Sequence, residues 1–326
     1  MMTSFAIPRP RMMACAAGFM LLAAPAMAAG VKITPLGSHE GEFCRFDRAM
    51  LFEDPDGTRI LYDAGRSVRG PDDERLGEID GVLLSHVHGD HLGDRHAGSA
   101  NGGTCGEPDL SVVAAPTSNT VNIVVGKKAD FFVGGEMGSW FSKKVTAAGG
   151  TADQVKLIRF GAMRKLGGVE IYSVPAVHSN GIDPAFLEGD LAGHLKDNGL
   201  TAYVGPPGGY VLRFSNGLTA YLSGDTGVTA EQDTVIRQFL KANLVVMNIG
   251  GTFTTGPTEA AWVVDELVKP KAVIPSHANE VATEGGQVVE GTKTDQFLKA
   301  VKAEAHLPLS GRTMEFDGEA TCVSGC

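Results

Sequence analysis

The chain has 326 residues, of which 43% are hydrophobic and 20% charged, with 43 glycines and 16 prolines. That length can bury a large core, and the composition excludes a disordered chain, a collagen-like chain or a disulfide-stapled miniature. Lysine and arginine number 28 against 38 acidic residues, a formal charge of −10; with no basic cluster, nucleic acid and anionic lipid are poor partners.

The first segment reads as a leader. Arg9 and Arg11 precede an uncharged apolar run from Met12 to Ala24, and Ala26-Met27-Ala28 offers a small-x-small cleavage pattern. Residues 1–28 are therefore expected to be a signal peptide cut after Ala28, giving a periplasmic or secreted protein. The run is shorter than the roughly 20 residues a spanning helix needs, and Pro25 interrupts it, so no stable membrane association is expected after cleavage. The mature chain would hold 26 basic against 38 acidic residues, or −12. Cys15 leaves with the leader, and Cys44, Cys105, Cys322 and Cys326 remain. An even number in an oxidising compartment suggests two disulfides. Cys322–Cys326 and Cys44–Cys105 are the favoured pairs.

Short β-like runs dominate the first half. Val31 to Leu36 is one; Ala49 to Glu53 and Arg59 to Tyr62 flank the turn Asp54-Pro55-Asp56-Gly57 and read as a hairpin. Val82 to Leu84 is a buried strand that runs straight into a histidine cluster. Val169 to Val174 follows, then Tyr210 to Phe214, which Ser215-Asn216-Gly217 turns back into Leu218 to Leu222. The second half alternates. A strand at Leu244 to Met247 precedes a helix near Thr258 to Val268, where Ala261, Val264, Leu267 and Val268 recur at helical spacing and Pro270 ends the pattern. Strand Ala272 to Ile274, a helix near Thr294 to Ala305 and a strand around Thr313 to Phe316 complete the chain. This order predicts an α/β fold with two mixed sheets face to face and helices outside, in a single catalytic domain over residues 29–326. Two Gly-rich segments, His96 to Glu107 and an insertion at about 180–209, fit no scaffold element and are expected to wall a substrate cleft.

The chemistry concentrates in Ser85-His86-Val87-His88-Gly89-Asp90-His91-Leu92-Gly93-Asp94. Three histidines and a carboxylate fall within six residues after a buried strand, and imidazole with carboxylate is the ligand set of zinc and similar divalent ions. His86 and His88 can face one ion while Asp90 and His91 face a second. His178 after Val174-Pro175-Ala176-Val177, Asp225 in Leu222-Ser223-Gly224-Asp225-Thr226-Gly227 and His277 after Ile274-Pro275-Ser276 each lie at a predicted strand end.

The HxHxDH pattern and these later motifs resemble the metallo-β-lactamase superfamily, whose seven ligand types appear here in the expected order over residues 86–277. The resemblance implies a four-layer αββα sandwich and a two-metal centre. His86, His88 and His178 would hold one ion, Asp90, His91 and His277 the other, with Asp225 bridging. Leu61-Tyr62-Asp63-Ala64-Gly65 and Gly250-Gly251-Thr252-Phe253-Thr254-Thr255-Gly256-Pro257 are similar to the lactonase-like branch, typified by L-ascorbate-6-phosphate lactonase and uncharacterised metal-dependent hydrolases. Zinc is the default ion, with manganese or iron as alternatives.

The resemblance implies hydrolysis of a small-molecule lactone, ester or amide by an acidified water, with Asp90 as catalytic proton carrier. Asp63, Asp94 and His194 are weaker candidates for orienting a ligand or touching substrate. Other activities on the same centre are β-lactam or phosphodiester hydrolysis. From other classes come a di-iron redox protein and a non-catalytic binding protein. A bridging aspartate, absent from true metallo-β-lactamases, places lactone or ester hydrolysis ahead.

Overall fold

The computed structural model describes residues 1–6 and 29–326, so most of the expected leader lies outside the described residues. Fifteen strands build two large sheets. In chain order they are β1 (Val31–Pro35), β2 (Met50–Glu53), β3 (Arg59–Tyr62), β4 (Gly81–Leu83), β5 (Asp130–Val133), β6 (Val155–Leu157), β7 (Met163–Leu166) and β8 (Val169–Pro175). There follow β9 (Gly208–Arg213), β10 (Thr219–Leu222), β11 (Leu244–Asn248), β12 (Ala272–Ser276), β13 (Glu304–Ala305), β14 (Met314–Phe316) and β15 (Cys322–Ser324).

The first sheet runs β15-β14-β1-β2-β3-β4-β5-β6 and the second β13-β12-β11-β10-β9-β8-β7. Both are mixed. β1 to β3 pair antiparallel, β2 and β3 through the short turn at residues 54–58, whereas β3, β4, β5 and β6 pair in parallel. In the second sheet β8 to β10 are antiparallel and β10 to β13 parallel.

Strand alternation sends side chains to two faces, and each face finds its own partner. Ile33, Phe52, Ile60 and Leu83 of the first sheet meet Ile171, Leu212, Leu222, Val246 and Ile274 of the second in one buried cluster between the sheets. The outer face of the first sheet, with Leu51, Leu61, Val82 and Phe131, packs on Val121, Val124, Phe141 and Val145. Those residues belong to the helices Asn119–Lys127 and Met137–Ala147. The outer face of the second sheet, with Val211, Tyr221, Val245 and Val273, packs on Ile236, Leu240, Val264, Val268 and Phe297. These come from helix Gln232–Leu240, from Pro257–Trp262 continued through Val263–Val268, and from Lys293–Ala300. The result is the expected αββα sandwich.

Several elements were not foreseen. The helices at Asn119–Lys127 and Met137–Ala147 and the strands β5 to β7 fill a stretch with no clear sequence signal. The helix expected to reach Ala305 stops at Ala300, and β13 follows. The insertion at about 180–209 is not a long loop: it holds a two-stranded ribbon of Gly181–Ile182 with Ala202–Tyr203, and the helix Gly189–Asp197, none of whose residues is buried. Both favoured cysteine pairs are disulfide-bonded, Cys44 with Cys105 and Cys322 with Cys326. Among the described residues no helix is long and apolar enough to cross a membrane.

Candidate metal centre

The two sheets deliver their chemistry at one edge. β4 leads into Ser85 and His86, and the short helix Gly89–Leu92 that follows carries Asp90 and His91. β8 leads to His178, β10 to Asp225, and β12 to His277. Close approach at this edge is set by Gly224, whose φ is +60° and where a Cβ would fall 2.6 Å from the Gly208 carbonyl oxygen. Only glycine meets both demands. Asp63 (φ 42°) and His277 (φ 52°) also hold left-handed backbone, a cost that concentrates at functional sites.

All seven expected ligands converge. The donor atoms of His86, His88 and His178 lie within 4.8 Å of one another, as do those of Asp90, His91 and His277, and those of His86, His91 and Asp225. Asp225 sits between the two groups. Its Oδ2 is 3.8 Å from His86 Nε2, 3.6 Å from His178 Nε2 and 3.1 Å from His277 Nε2, and its Oδ1 is 3.2 Å from His91 Nε2. Buried polar atoms are almost always hydrogen-bonded. Here His86 Nε2, His91 Nε2, His277 Nε2 and Asp225 Oδ1 are buried without a hydrogen-bond partner. That orphaned, convergent set of nitrogen and carboxylate donors fits divalent cations.

A hydrogen-bond chain behind the centre fixes which nitrogens face it. Asp63 Oδ2 can only accept, so His91 Nδ1, 2.8 Å away, carries the proton and leaves Nε2 to face inward. Ser85 Oγ donates to the same oxygen at 2.7 Å and therefore accepts from His86 Nδ1 at 2.9 Å, which frees His86 Nε2 likewise. Asp63 also accepts the Ser85 backbone N–H. This is the outer partner that orients metal-ligating histidines. Asp63→Asn keeps a residue that tolerates the left-handed backbone but turns an amide donor toward a histidine donor. Metal affinity measured by chelator competition should fall about 10- to 100-fold; unchanged affinity would reject the orienting role.

Charge follows geometry. Burial, and then the neighbouring His91 charge, hold His86 well below the usual histidine value, and burial likewise lowers His88 and His178. Those three are neutral donors at pH 7. Burial pulls His91 down too, but Asp225, Asp90 and Asp63 outweigh it and hold it well above the usual value. Burial pushes Asp90 and Asp225 up, yet the histidine charges, with Arg48 beside Asp90, keep both carboxyls well below the usual range.

Arg48 carried no sequence signal. Its side chain is 2% exposed, and it donates to Asp90 Oδ2 from Nε at 3.3 Å and from a terminal nitrogen at 3.2 Å. It also bonds Asn279 Oδ1, and the Asn279 amide nitrogen lies 3.2 Å from His277 Nδ1. Arg48 thus ties Asp90, at the first sheet's edge, to His277 at the second's.

The centre opens into a cavity of about 660 Å³, whose walls come from Arg45, Phe46, Arg48 and Arg66 on one stretch and from Thr252, Phe253, Asn279 and Lys293 on another. The two Gly-rich segments expected to form them line none of it. Cys105 instead acts through its bond to Cys44, next to Arg45. His194 is exposed on the helix Gly189–Asp197, away from the cavity. Asp94 touches no ligand; it accepts from Arg66 Nε at 2.7 Å and so positions a wall residue.

An αββα sandwich with a His/Asp centre at the joined edge of its sheets defines a class, and comparison with known proteins agrees. Residues 58–278 match the β-lactamase superfamily domain. The chain belongs to this metallo-β-lactamase superfamily. It is 29% identical over 240 residues to a UPF0173 metal-dependent hydrolase of Cupriavidus metallidurans, covering 71% of this chain and 66% of that one, just under two thirds of its length. A second, from Polynucleobacter asymbioticus, is 28% identical over 319 residues, covering 91% of this chain and 94% of that one. Among solved structures, the metallo hydrolase Igni18 of Ignicoccus hospitalis superposes with a TM-score of 0.57 at 22% identity, covering 88% of this chain and 98% of that one.

Proposed function

We propose that the chain is a metal-dependent hydrolase of small lactones or esters, with amides as a lesser class. The observation that carries this reading is the set of buried, unpartnered donor atoms on His86, His91, Asp225 and His277, of which Asp225 and His277 line the floor of an open cavity. Two divalent cations, zinc by default, would be held by His86, His88 and His178 and by Asp90, His91 and His277, with Asp225 shared. They would supply a water acidified from a pKa of about 15.7 to about 7 and a charge that polarises the carbonyl. Metal-dependent hydrolase relatives support the same reading.

The chain's own residues do the rest. Asp90 is a quarter exposed to the cavity and stays ionised because His91, His277 and Arg48 surround it. Its Oδ2 can accept the proton of the attacking water and return it to the leaving oxygen or nitrogen. Asp63 and Ser85 keep the imidazoles of His91 and His86 turned inward. Asp225 faces histidines of both groups, the arrangement that sets lactone and ester hydrolysis ahead of β-lactam hydrolysis.

The test is a panel of lactones, aryl esters, phosphodiesters and a chromogenic cephalosporin, run before and after chelation. Lactone or ester turnover should vanish with the chelator and return with zinc or manganese. Turnover that survives complete metal removal would sink the proposal, and fast cleavage of the cephalosporin alone would reverse the order of substrates.

A further inference from the structure

The cavity wall is basic in an acidic protein. The chain carries 38 acidic against 28 basic residues, yet among the described residues four cations line the cavity, and the only carboxylates there, Asp90 and Asp225, face the histidines. Two of the four are paired, Arg48 with Asp90 and Arg66 with Asp94. The other two are not. Lys293 is half-buried at the start of helix Lys293–Ala300, and its ammonium donates only to two backbone carbonyls, Gly250 and Ala278, at 2.9 Å each. An ammonium has three donors, so one remains. Arg45 is exposed at the mouth, its guanidinium 5.2 Å from the Phe46 ring centroid, with the Arg66 guanidinium 5.6 Å from the same ring.

We propose that Lys293 and Arg45 form an oxyanion-recognition wall, so that the hydrolase acts on substrates carrying a carboxylate or phosphate group beside the scissile bond. This rests on the hydrolytic reading of the same cavity. An ammonium bonded only to backbone carbonyls keeps one N–H donor free and its positive charge without a paired carboxylate. An oxyanion satisfies both through charge-assisted hydrogen bonds, which are shorter and stronger than neutral ones. The Lys293 bonds to Gly250 and Ala278 aim the ammonium, since both carbonyls flank segments that line the cavity. Phe46, covered by two guanidinium groups, holds the arginine side of the wall in place through cation–π contact.

The test uses zinc-loaded protein and two chromogenic esters of matched length, 4-nitrophenyl hemisuccinate with a free carboxylate and neutral 4-nitrophenyl butyrate. The kcat/KM ratio of the anionic to the neutral ester should fall about tenfold or more in Lys293→Ala and in Arg45→Ala, mainly through KM. Lys293→Arg should recover part of it. Lys302→Ala, on an exposed side chain paired with Glu266, should leave the ratio unchanged. Arg45 is exposed, so its variant decides the matter if Lys293→Ala does not fold. A ratio equal to wild type in both variants overturns the proposal.

If wild-type protein cleaves neither ester, the hydrolytic reading of esters fails on its own, and the wall is read by binding. Calorimetric titration of glutarate and of inorganic phosphate into the zinc-loaded protein should show about tenfold weaker binding in the variants for one of the two. Loss for glutarate assigns a carboxylate, and loss for phosphate assigns a phosphate. Equal binding of both anions by wild type and variants overturns it.

Discussion

Asp225→Ala should yield a folded protein that holds fewer than two divalent ions and has no measurable turnover. Asp225 is 3% exposed and, among the described residues, is the one group that faces histidines of both clusters. In the proposed two-ion centre its loss would remove a ligand from each ion at once, so affinity should drop by more than the about 10- to 100-fold expected for an outer partner. Metal content by mass spectrometry after dialysis reads the effect directly. Two ions retained per chain, with normal turnover, would remove Asp225 from the centre.

Asp90→Asn should reduce turnover about 10²- to 10⁴-fold, the usual contribution of a positioned acid–base group. The amide is nearly the same size but cannot take a proton. The loss should therefore fall on kcat more than on KM. Circular dichroism and thermal melting should show a folded protein, because Asp90 is only partly buried. Arg48 then loses its counter-charge, which makes the variant's melting temperature a measure of that pairing. Full activity in a folded, metal-loaded variant would reject Asp90 as the proton carrier.

The metal-free protein should be most stable near pH 6.5, the ordinary histidine value. His86, His88 and His178 have lowered values, so the stability they confer is present above pH 6.5 and is lost as pH falls through their folded values. Asp90 and Asp225, also lowered, add a further loss at pH values below 3.8. His91 is raised, so its contribution is complete below pH 6.5 and disappears as pH climbs through its folded value. Bound metal removes the last limb, because a ligand nitrogen carries no proton. Melting curves from pH 5 to 9 with and without chelator should diverge increasingly toward high pH; a metal-free curve that keeps rising above neutrality would contradict this assignment.

The convergence of the seven side chains was legible because His86, His178, Asp225 and His277 each sit one to three residues beyond a strand that its own sequence announces, and His88, Asp90 and His91 follow His86 within five residues. A strand end has a fixed position in a sandwich, so four such motifs must meet at one edge. The walls were not legible. Arg48 matters through Asp90, 42 residues on, and Asn279, 231 residues on, and nothing local to Arg48 records either contact. Lys293 reads as an ordinary first-turn residue until Gly250 and Ala278 are folded against it. Helix Asn119–Lys127 was hidden by its valines and isoleucine, which favour strands locally; Ser118, whose side chain accepts the Val121 N–H, was the usable signal. The insertion misled in the opposite sense, since Gly193 and Gly199 line a separate pocket of about 620 Å³ beside its exposed helix and not the cavity over the histidines.

The Cys44–Cys105 bond gives the cavity a dependence on its surroundings that the metal centre lacks. The bond spans 61 residues of sequence and fixes the segment from which Arg45, Phe46 and Arg48 project. Thiol reductants should therefore leave the histidine floor assembled while loosening one side of the entrance. Preparations made in a reducing cytosol and in an oxidising compartment would then contain the same ions but grip an anionic ligand differently. Substrate selection would then depend on the compartment in which the cysteines were oxidised.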